Sequence, residues 1–364
     1  MNAIIKWPGG KSREIEMIKD LIPEKYDRYI EPFFGGGALY FHLNPKKAAI
    51  NDLSAPLMDF YRLVKARDPQ LKAYLYGYDS SMRGLLAVCD EYAKEMLSTF
   101  EGREPDGITN LLERLIPRIL EVMAPGLVLN ENQFTEQLRK MVTDKFDRTI
   151  ANHHKKPFSE EDLRENLITG FVSGFYMYFR KVYNDLALGR IDNPGEAYQA
   201  ANFYFIREYC YGSMFRYNVK GEFNIPYGGM SYNRKDMTIK LDRIFNDDVS
   251  ALLGRTEIAC QDFEDFIQRL DLTENDFMFL DPPYDTEFSD YEGKAFTKLD
   301  QARLAVTLKR TKAKFVLIIK NTEFISGLYS QDFTILTFDK QYTYNVRSRN
   351  DRGAEHLIIT NLPV

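Results

Sequence analysis

The chain has 364 residues, room for about two domains at roughly 150 residues each. Its 48 basic and 53 acidic residues leave a net charge of -5, and 44% hydrophobic with 28% charged residues exclude a disordered chain. No apolar run approaches the ~18 residues of a membrane span. Residues 1–8 lack the apolar core of a signal peptide. Three scattered cysteines (Cys89, Cys210, Cys260) without a CxxC suit reduced thiols, so the expected setting is cytoplasmic. The acidic balance speaks at first against a nucleic-acid partner, although a total is silent on where the charges sit.

In chain order, Ile15, Ile18, Leu21 and Ile22 predict a short amphipathic helix. Tyr29-Ile30 leads through Glu31-Pro32-Phe33-Phe34-Gly35-Gly36-Gly37 into apolar residues 38–43, which reads as strand, glycine turn and helix. Residues 48–52 form a second strand ending on Asp52, and a helix follows at 55–65. Residues 67–165 have helical leucine spacing, broken at Pro125-Gly126 and Pro157, with His153-His154 in a polar, loop-like stretch. Metal-ligand spacing is lacking around those histidines, so no metal is expected. From 170 to 246 the chain turns aromatic and basic, with glycine turns that suggest a β-hairpin. Apolar runs at 277–280, 315–319, 333–336 and 357–359 predict further strands, the last two as an antiparallel pair at one sheet edge. The expected domains are a discontinuous α/β domain, 1–66 with 250–364, a helical insertion at 67–165, and a hairpin-bearing module at 166–249.

The glycine loop lets backbone approach a ligand at a helix start, and Asp52 stands where Rossmann-like folds hold ribose hydroxyls. The loop lacks the G-x-G-x-x-G fingerprint, and an ordinary βα turn is the alternative reading. Gly10-Lys11-Ser12 is not a phosphate loop, because Ile5 occupies the position of the required first glycine. Asp281-Pro282-Pro283-Tyr284 closes an apolar strand. Two prolines terminate a ladder, but a carboxylate, proline carbonyls and an aromatic ring also suit an exocyclic nucleobase amine. Acceptors aimed at both amino hydrogens stabilise the charge that develops on a nitrogen otherwise delocalised into its ring, and a tyrosine can stack on the base.

Taken in order, Lys6-Trp7-Pro8-Gly9-Gly10-Lys11, Glu31-Pro32-Phe33-Phe34-Gly35-Gly36-Gly37, Asn51-Asp52 and Asp281-Pro282-Pro283-Tyr284 resemble the Dam-type (D12 class, alpha group) DNA adenine N6-methyltransferases. Residues 216–228, RYNVKGEFNIPYG, are similar to the recognition hairpin of that family. The resemblance covers 1–66 and roughly 203–361 and leaves 67–165 unmatched. It implies a Rossmann-like sheet that binds S-adenosyl-L-methionine (AdoMet), with an inserted helical and β-hairpin target-recognition domain. Trp7, Lys11, Phe33, Gly35, Gly37, Asp52, Asp262, Phe263 and Asp281 would hold the cofactor. Asp281, Pro282, Pro283 and Tyr284 would carry catalysis on an extruded adenine.

Arg216, Asn218, Lys220 and Pro226 would contact double-stranded DNA, at a GATC or GATC-like site, with Arg347 and Arg349 from a C-terminal basic run. A bacterial or phage origin and a separately acting cognate restriction endonuclease also follow from the resemblance. Alternatives are an enzyme of the same type acting on cytosine N4, RNA or a protein glutamine, and a DNA-binding regulator without catalysis. Asp281 leans toward adenine, and the presence of every catalytic motif residue weighs against a regulator. Basic residues at 309–320, at 340–352 and around the hairpin (Arg207, Arg216, Lys220, Arg234, Lys235) suggest a local DNA track within an acidic protein.

Overall fold

The structure, a computed structural model, describes residues 1–8, 15–102, 106–283, 290–291, 294–341 and 353–363. Its helices are α1 (Ile15–Ile18), α2 (Ala38–Leu43), α3 (Ala55–Lys65), α4 (Pro69–Glu91), α5 (Ala93–Gly102), α6 (Gly107–Glu121) and α7 (Glu131–Lys155). They continue with α8 (Glu160–Ala187), α9 (Glu196–Tyr209), α10 (Thr238–Ile244), α11 (Asp247–Gly254), α12 (Phe263–Arg269), α13 (Lys298–Arg310) and α14 (Glu323–Tyr329). The strands are β1 (Tyr29–Glu31), β2 (Ala48–Asn51), β3 (Thr256–Ala259), β4 (Phe277–Leu280), β5 (Asp290–Tyr291), β6 (Lys294–Ala295), β7 (Lys314–Lys320), β8 (Thr334–Gln341) and β9 (Gly353–Thr360). None of the helices is long and apolar enough to cross a membrane, among the described residues.

Seven strands form one sheet in the order β3-β2-β1-β4-β7-β9-β8, and β5 pairs with β6 separately. The first five run parallel, while β9 is antiparallel to β7 and β8. Strands β1, β2 and β4 are buried at every position, the reason their sequences do not alternate: β4 is wholly apolar, and β1 and β2 turn polar only at their last residues, Glu31 and Asn51. The antiparallel edge pair expected near the C-terminus is β8 with β9. Edge strand β3 carries no comparable signal, since Thr256-Glu257-Ile258-Ala259 holds an exposed acid and is buried only at its two ends. Strand order reverses between β1 and β4, which opens a crevice at their carboxyl ends, where open α/β sheets place their ligands. At the opposite ends Arg28 donates to both Asp276 oxygens, at 2.8 and 2.7 Å, and so ties the start of β1 to the start of β4.

The chain packs as two compact units. One holds residues 1–66, 215–221 and 246–364, and the other holds 67–214 and 222–245. The sheet lies in the first. In the second, α7 and α8 approach closely because Gly174 has no side chain; a Cβ there would lie 2.9 Å from Leu138 Cα. Aromatic rings fill the helical core, with Tyr78 stacked on Phe205 at 4.6 Å and Phe175 against Phe179 at 4.8 Å. Helix α8 runs through the expected 165/166 boundary.

Two sequence expectations are corrected here. His153 and His154 belong to the last turn of α7, not to a loop. His153 Nδ1 accepts a hydrogen bond from the Phe158 amide at 3.1 Å, and its ring packs edge-on to Phe100 at 5.5 Å. The segment expected as a β-hairpin carries isolated bridges, such as Cys210 with Tyr227, and no extended strand among the described residues. Helical side chains take its backbone groups instead. Asn184 brackets Phe223, with the Phe223 amide donating to Oδ1 at 2.8 Å and Nδ2 donating to the Phe223 carbonyl at 3.0 Å. Tyr176 and Arg180 both donate to the Ile225 carbonyl.

Glu208 on α9 is fully buried and bridges to Lys235 and Lys240, the latter at 2.7 Å. Burial alone would raise its carboxyl, but the two ammonium groups outweigh that and hold it below the usual carboxylate value. A depressed folded-state value contributes stability above the unfolded value, and that contribution is lost as pH falls through the folded one. Glu208→Gln should therefore cost about 3–5 kcal/mol near neutral pH. It should also flatten the acid limb of stability against pH, as read by urea melts along a pH series.

Candidate active site

Strand β1 ends on Glu31, and the loop from Pro32 to Gly37 turns the chain into α2. Gly35 adopts φ +51°, and a Cβ there would lie 2.6 Å from Trp7 Cδ1, so both the conformation and the space demand glycine. The Trp7 ring thus lies against the loop backbone. It also meets Phe215 edge-on, with ring centroids 4.7 Å apart. Gly37 forms the N-cap of α2.

Asp52, just past β2, braces this loop. Its Oδ2 accepts from the Gly35 amide at 2.8 Å and its Oδ1 from the Ser54 amide at 3.0 Å. Burial raises the Asp52 carboxyl, while the amides of Ser54, Gly35 and Leu53 pull it back. Asn51 is the stitch between three strand ends. Its Nδ2 donates to the carbonyls of Pro32 and Gln261 at 3.1 and 3.0 Å, and its Oδ1 accepts from the Gln261 amide at 3.0 Å.

Glu31 is a site residue that sequence reasoning missed, although its position at the end of an apolar strand before the glycine loop was the available signal. It is 3% exposed and accepts from Tyr29 Oη at 2.8 Å. Burial pushes its carboxyl well up; the Tyr29 hydroxyl opposes this, and the Asp281 and Asp52 carboxylates reinforce it. Three carboxyl groups thus gather at the ends of adjacent strands β2, β1 and β4, an arrangement that favours a cationic or hydroxyl-bearing ligand.

After β3, Asp262 caps α12, with its Oδ1 accepting from the Glu264 amide at 2.9 Å. The same carboxylate receives Arg303 Nη2 at 2.7 Å. The buried Phe263 ring packs between Phe33 at 5.4 Å and Phe296 at 5.7 Å, with the Arg303 guanidinium 5.0 Å from its centroid. After β4, Asp281 is partly buried and Pro282 fully so. The structure therefore brings Trp7, Phe33, Gly35, Gly37, Asp52, Asp262, Phe263 and Asp281 into the sheet-bearing unit; all but Trp7, which lies in the segment before α1, follow the carboxyl ends of β1 to β4. Lys11, Tyr284, Arg347 and Arg349 lie outside the described residues.

Among the residues expected to touch DNA, Arg216 and Lys220 are exposed. Asn218 closes a tight turn, its Oδ1 accepting from the Lys220 amide and its carbonyl from the Gly221 amide, both at 2.9 Å; Val219 stands fully exposed at the tip. Pro226, in the helical unit, is exposed and accepts from the Tyr211 amide at 2.9 Å.

The basic track is corrected. Arg207 is buried and donates to the carbonyls of Ser213 and Met214. Arg234 is committed to Asp90 and Glu165, and Lys235 to Glu208. Lys309 pairs with Asp332 at 2.7 Å. Lys314 and Lys320 stand at opposite ends of β7, about 20 Å apart at ~3.3 Å per residue. Charges adjacent in sequence are thus divided between ion pairs with other elements and the two ends of one strand.

A seven-stranded, largely parallel sheet with glycine and acidic loops at its switch point is a Rossmann-like arrangement, consistent with a methyltransferase fold. Comparison with known proteins makes this specific. The model of the family described as D12 class N6 adenine-specific DNA methyltransferase matches residues 7–90 and 132–344, and the chain belongs to that family. The match takes in much of 67–165, the part the motifs left unassigned; residues 91–131, which include α5 and α6, fall outside it. The chain is 25% identical over 365 residues to the type II methyltransferase M1.LlaDCHI of Lactococcus lactis subsp. cremoris, covering 98% of this chain and 94% of that one. It is 25% identical over 367 residues to the type II methyltransferase M.CviBI of Paramecium bursaria Chlorella virus NC1A, covering 99% and 100%. With the DNA adenine methylase of Vibrio cholerae serotype O1 it shares 20% identity over 314 residues, covering 85% and 76%.

Proposed function

We propose that the chain transfers a methyl group from AdoMet to N6 of an adenine in double-stranded DNA, at a GATC or GATC-like site. The adenine is turned out of the helix, and transfer is direct and in-line. The observation that carries this reading is the meeting of two loops at the switch point. The glycine loop follows β1 and Asp281-Pro282-Pro283 follows its neighbour β4, with the Glu31, Asp52 and Asp281 carboxyl groups together at the strand ends.

That donor set fits AdoMet. A backbone cradle that a Cβ would fill at Gly35, carboxylates for an ammonium and a ribose diol, and aromatic rings for a purine are all present. AdoMet supplies an electrophilic methyl group on sulfur. Asp52 keeps spare lone pairs beyond its two backbone bonds and takes the ribose hydroxyls. Phe33, Gly35 and Gly37 surround the methionine part, with Trp7 and Lys11 beside it, and Asp262 and Phe263 border the adenine.

Asp281 and the Pro282 carbonyl accept the hydrogens of the target amine, which favours a more pyramidal and nucleophilic nitrogen, and Tyr284 stacks on the extruded base. Extrusion costs a few kcal/mol of lost stacking and pairing, offset by the pocket. Residues 1–66 and 250–364 form the catalytic domain, and 166–249 the target-recognition region. Arg216, Asn218, Lys220 and Pro226 read or position the duplex, with Arg347 and Arg349 supporting them. A separately acting cognate endonuclease is consistent with the type II names of the relatives.

The test is incubation with methyl-labelled AdoMet and unmethylated duplex DNA, followed by base-resolved mapping. Label at adenine N6 within one short motif is expected; label in RNA or protein with none in DNA would refute the reading.

A further inference from the structure

Gln301, on the second turn of α13, is fully buried. Its Nε2 donates to the carbonyl of Pro283 at 2.8 Å. A carbonyl only accepts, so this contact fixes which way the amide faces. The amide oxygen is thereby turned to the other side, where it is buried without a partner among the described residues. A buried acceptor left unmet is a net cost, and an apolar side chain of the same volume would avoid it. The packing of α13 therefore gives no reason for an amide at this position, whereas the catalytic segment does. Pro282 and Pro283 have no amide hydrogen, and the segment lies beyond the last ladder residue of β4. Its carbonyls need a donor from elsewhere in the chain.

We infer that Gln301 is a positioning residue for methyl transfer: by holding the Pro283 carbonyl it sets the direction of the Asp281 carboxylate and the Pro282 carbonyl. The frame it acts from is rigid. Thr297 and Asp300 close a reciprocal capping box on α13. Two residues beyond Gln301, Arg303 grips Asp262 at 2.7 Å, Glu264 at 3.0 Å and Asp300 at 3.0 Å. One helix therefore anchors both the Asp262 corner and the segment after β4. The inference rests on the reading of Asp281-Pro282-Pro283 as the catalytic segment.

The test compares the wild-type chain with Gln301→Met and Gln301→Glu. Three quantities are measured: kcat on a duplex oligonucleotide, calorimetric affinity for S-adenosylhomocysteine, and the thermal midpoint. Gln301→Met should lose about 10- to 100-fold in kcat, as a misplaced reacting group does. Its S-adenosylhomocysteine affinity should stay within about twofold, the pattern of an interaction that matters only in the transition state, and its midpoint should not fall. Unchanged kcat overturns the inference, and so does a kcat loss that tracks lost affinity and a lower midpoint.

Gln301→Glu isolates the donor. Its rate relative to wild type should climb as pH is lowered, because the protonated carboxyl regains a hydrogen to give Pro283; a ratio independent of pH overturns the role. A wild-type chain that methylates no DNA refutes the functional reading, whereas an active wild type with unimpaired variants refutes this inference alone.

Discussion

Asp281→Ala is expected to lower methyl transfer to DNA by about a hundred- to a thousand-fold in kcat, the range seen when one preorganised group facing developing charge is removed. The fold should survive. Strand β4 is paired with β1 and β7 through Phe277–Leu280, and Asp281 lies just past that ladder. Removing its charge also relieves the buried Glu31 carboxyl, which Asp281 helps to hold above its ordinary value. Stability near neutral pH should therefore stay level or rise slightly. Asp281→Asn separates charge from shape, because it keeps one acceptor oxygen and loses the negative charge. Single-turnover methylation with a thermal melt of each variant makes the comparison. A variant that folds and still methylates at the wild-type rate removes Asp281 from the chemistry.

Arg216→Ala is expected to lose about 1–3 kcal/mol of discrimination at one guanine of the recognition site, the range for a bidentate contact to a base edge. The side chain is exposed. It directly follows Phe215, whose ring packs on Trp7, and precedes the tight turn closed by Asn218. A guanidinium carries the planar fork that recognition of a guanine edge requires. The measurement is kcat/KM on a set of duplexes, each altered at one position of the site. Loss confined to one guanine supports base reading. Equal loss on every duplex, with a shallower salt dependence, assigns Arg216 to a phosphate instead.

The elements that were legible in the sequence are those governed by local rules. Continuous apolar runs announced β4, β7 and β9, because strands covered on both faces have no polar side to alternate with. The glycine loop and Asp281-Pro282-Pro283 were legible for a related reason: glycine and proline constrain their own backbone whatever surrounds them. Strand β3 was not, since a short edge strand with an exposed Glu257 draws its identity from pairing with β2. The expected hairpin was legible only in its turns. Its glycines marked real turns, but Asn184, Tyr176 and Arg180, some 40 residues earlier in the chain, supply the partners that a ladder would have supplied.

The acidic balance that opened the reading shows the division most clearly. By itself the sequence determined the inventory: an excess of five acids over bases, and the side chains able to meet a sulfonium cofactor and a nucleobase amine. Only the tertiary structure decided where those charges stand. It set Arg207 against backbone carbonyls, Arg234 and Lys235 against carboxylates of the helical unit, and placed Arg216 and Lys220 at the surface. It likewise buried Glu31 beside two other carboxylates and brought Gln301 to Pro283. The physical reason is common to all of these. Burial and ion pairing are relations between residues far apart in the chain, and neither composition nor periodicity encodes a partner at a distance.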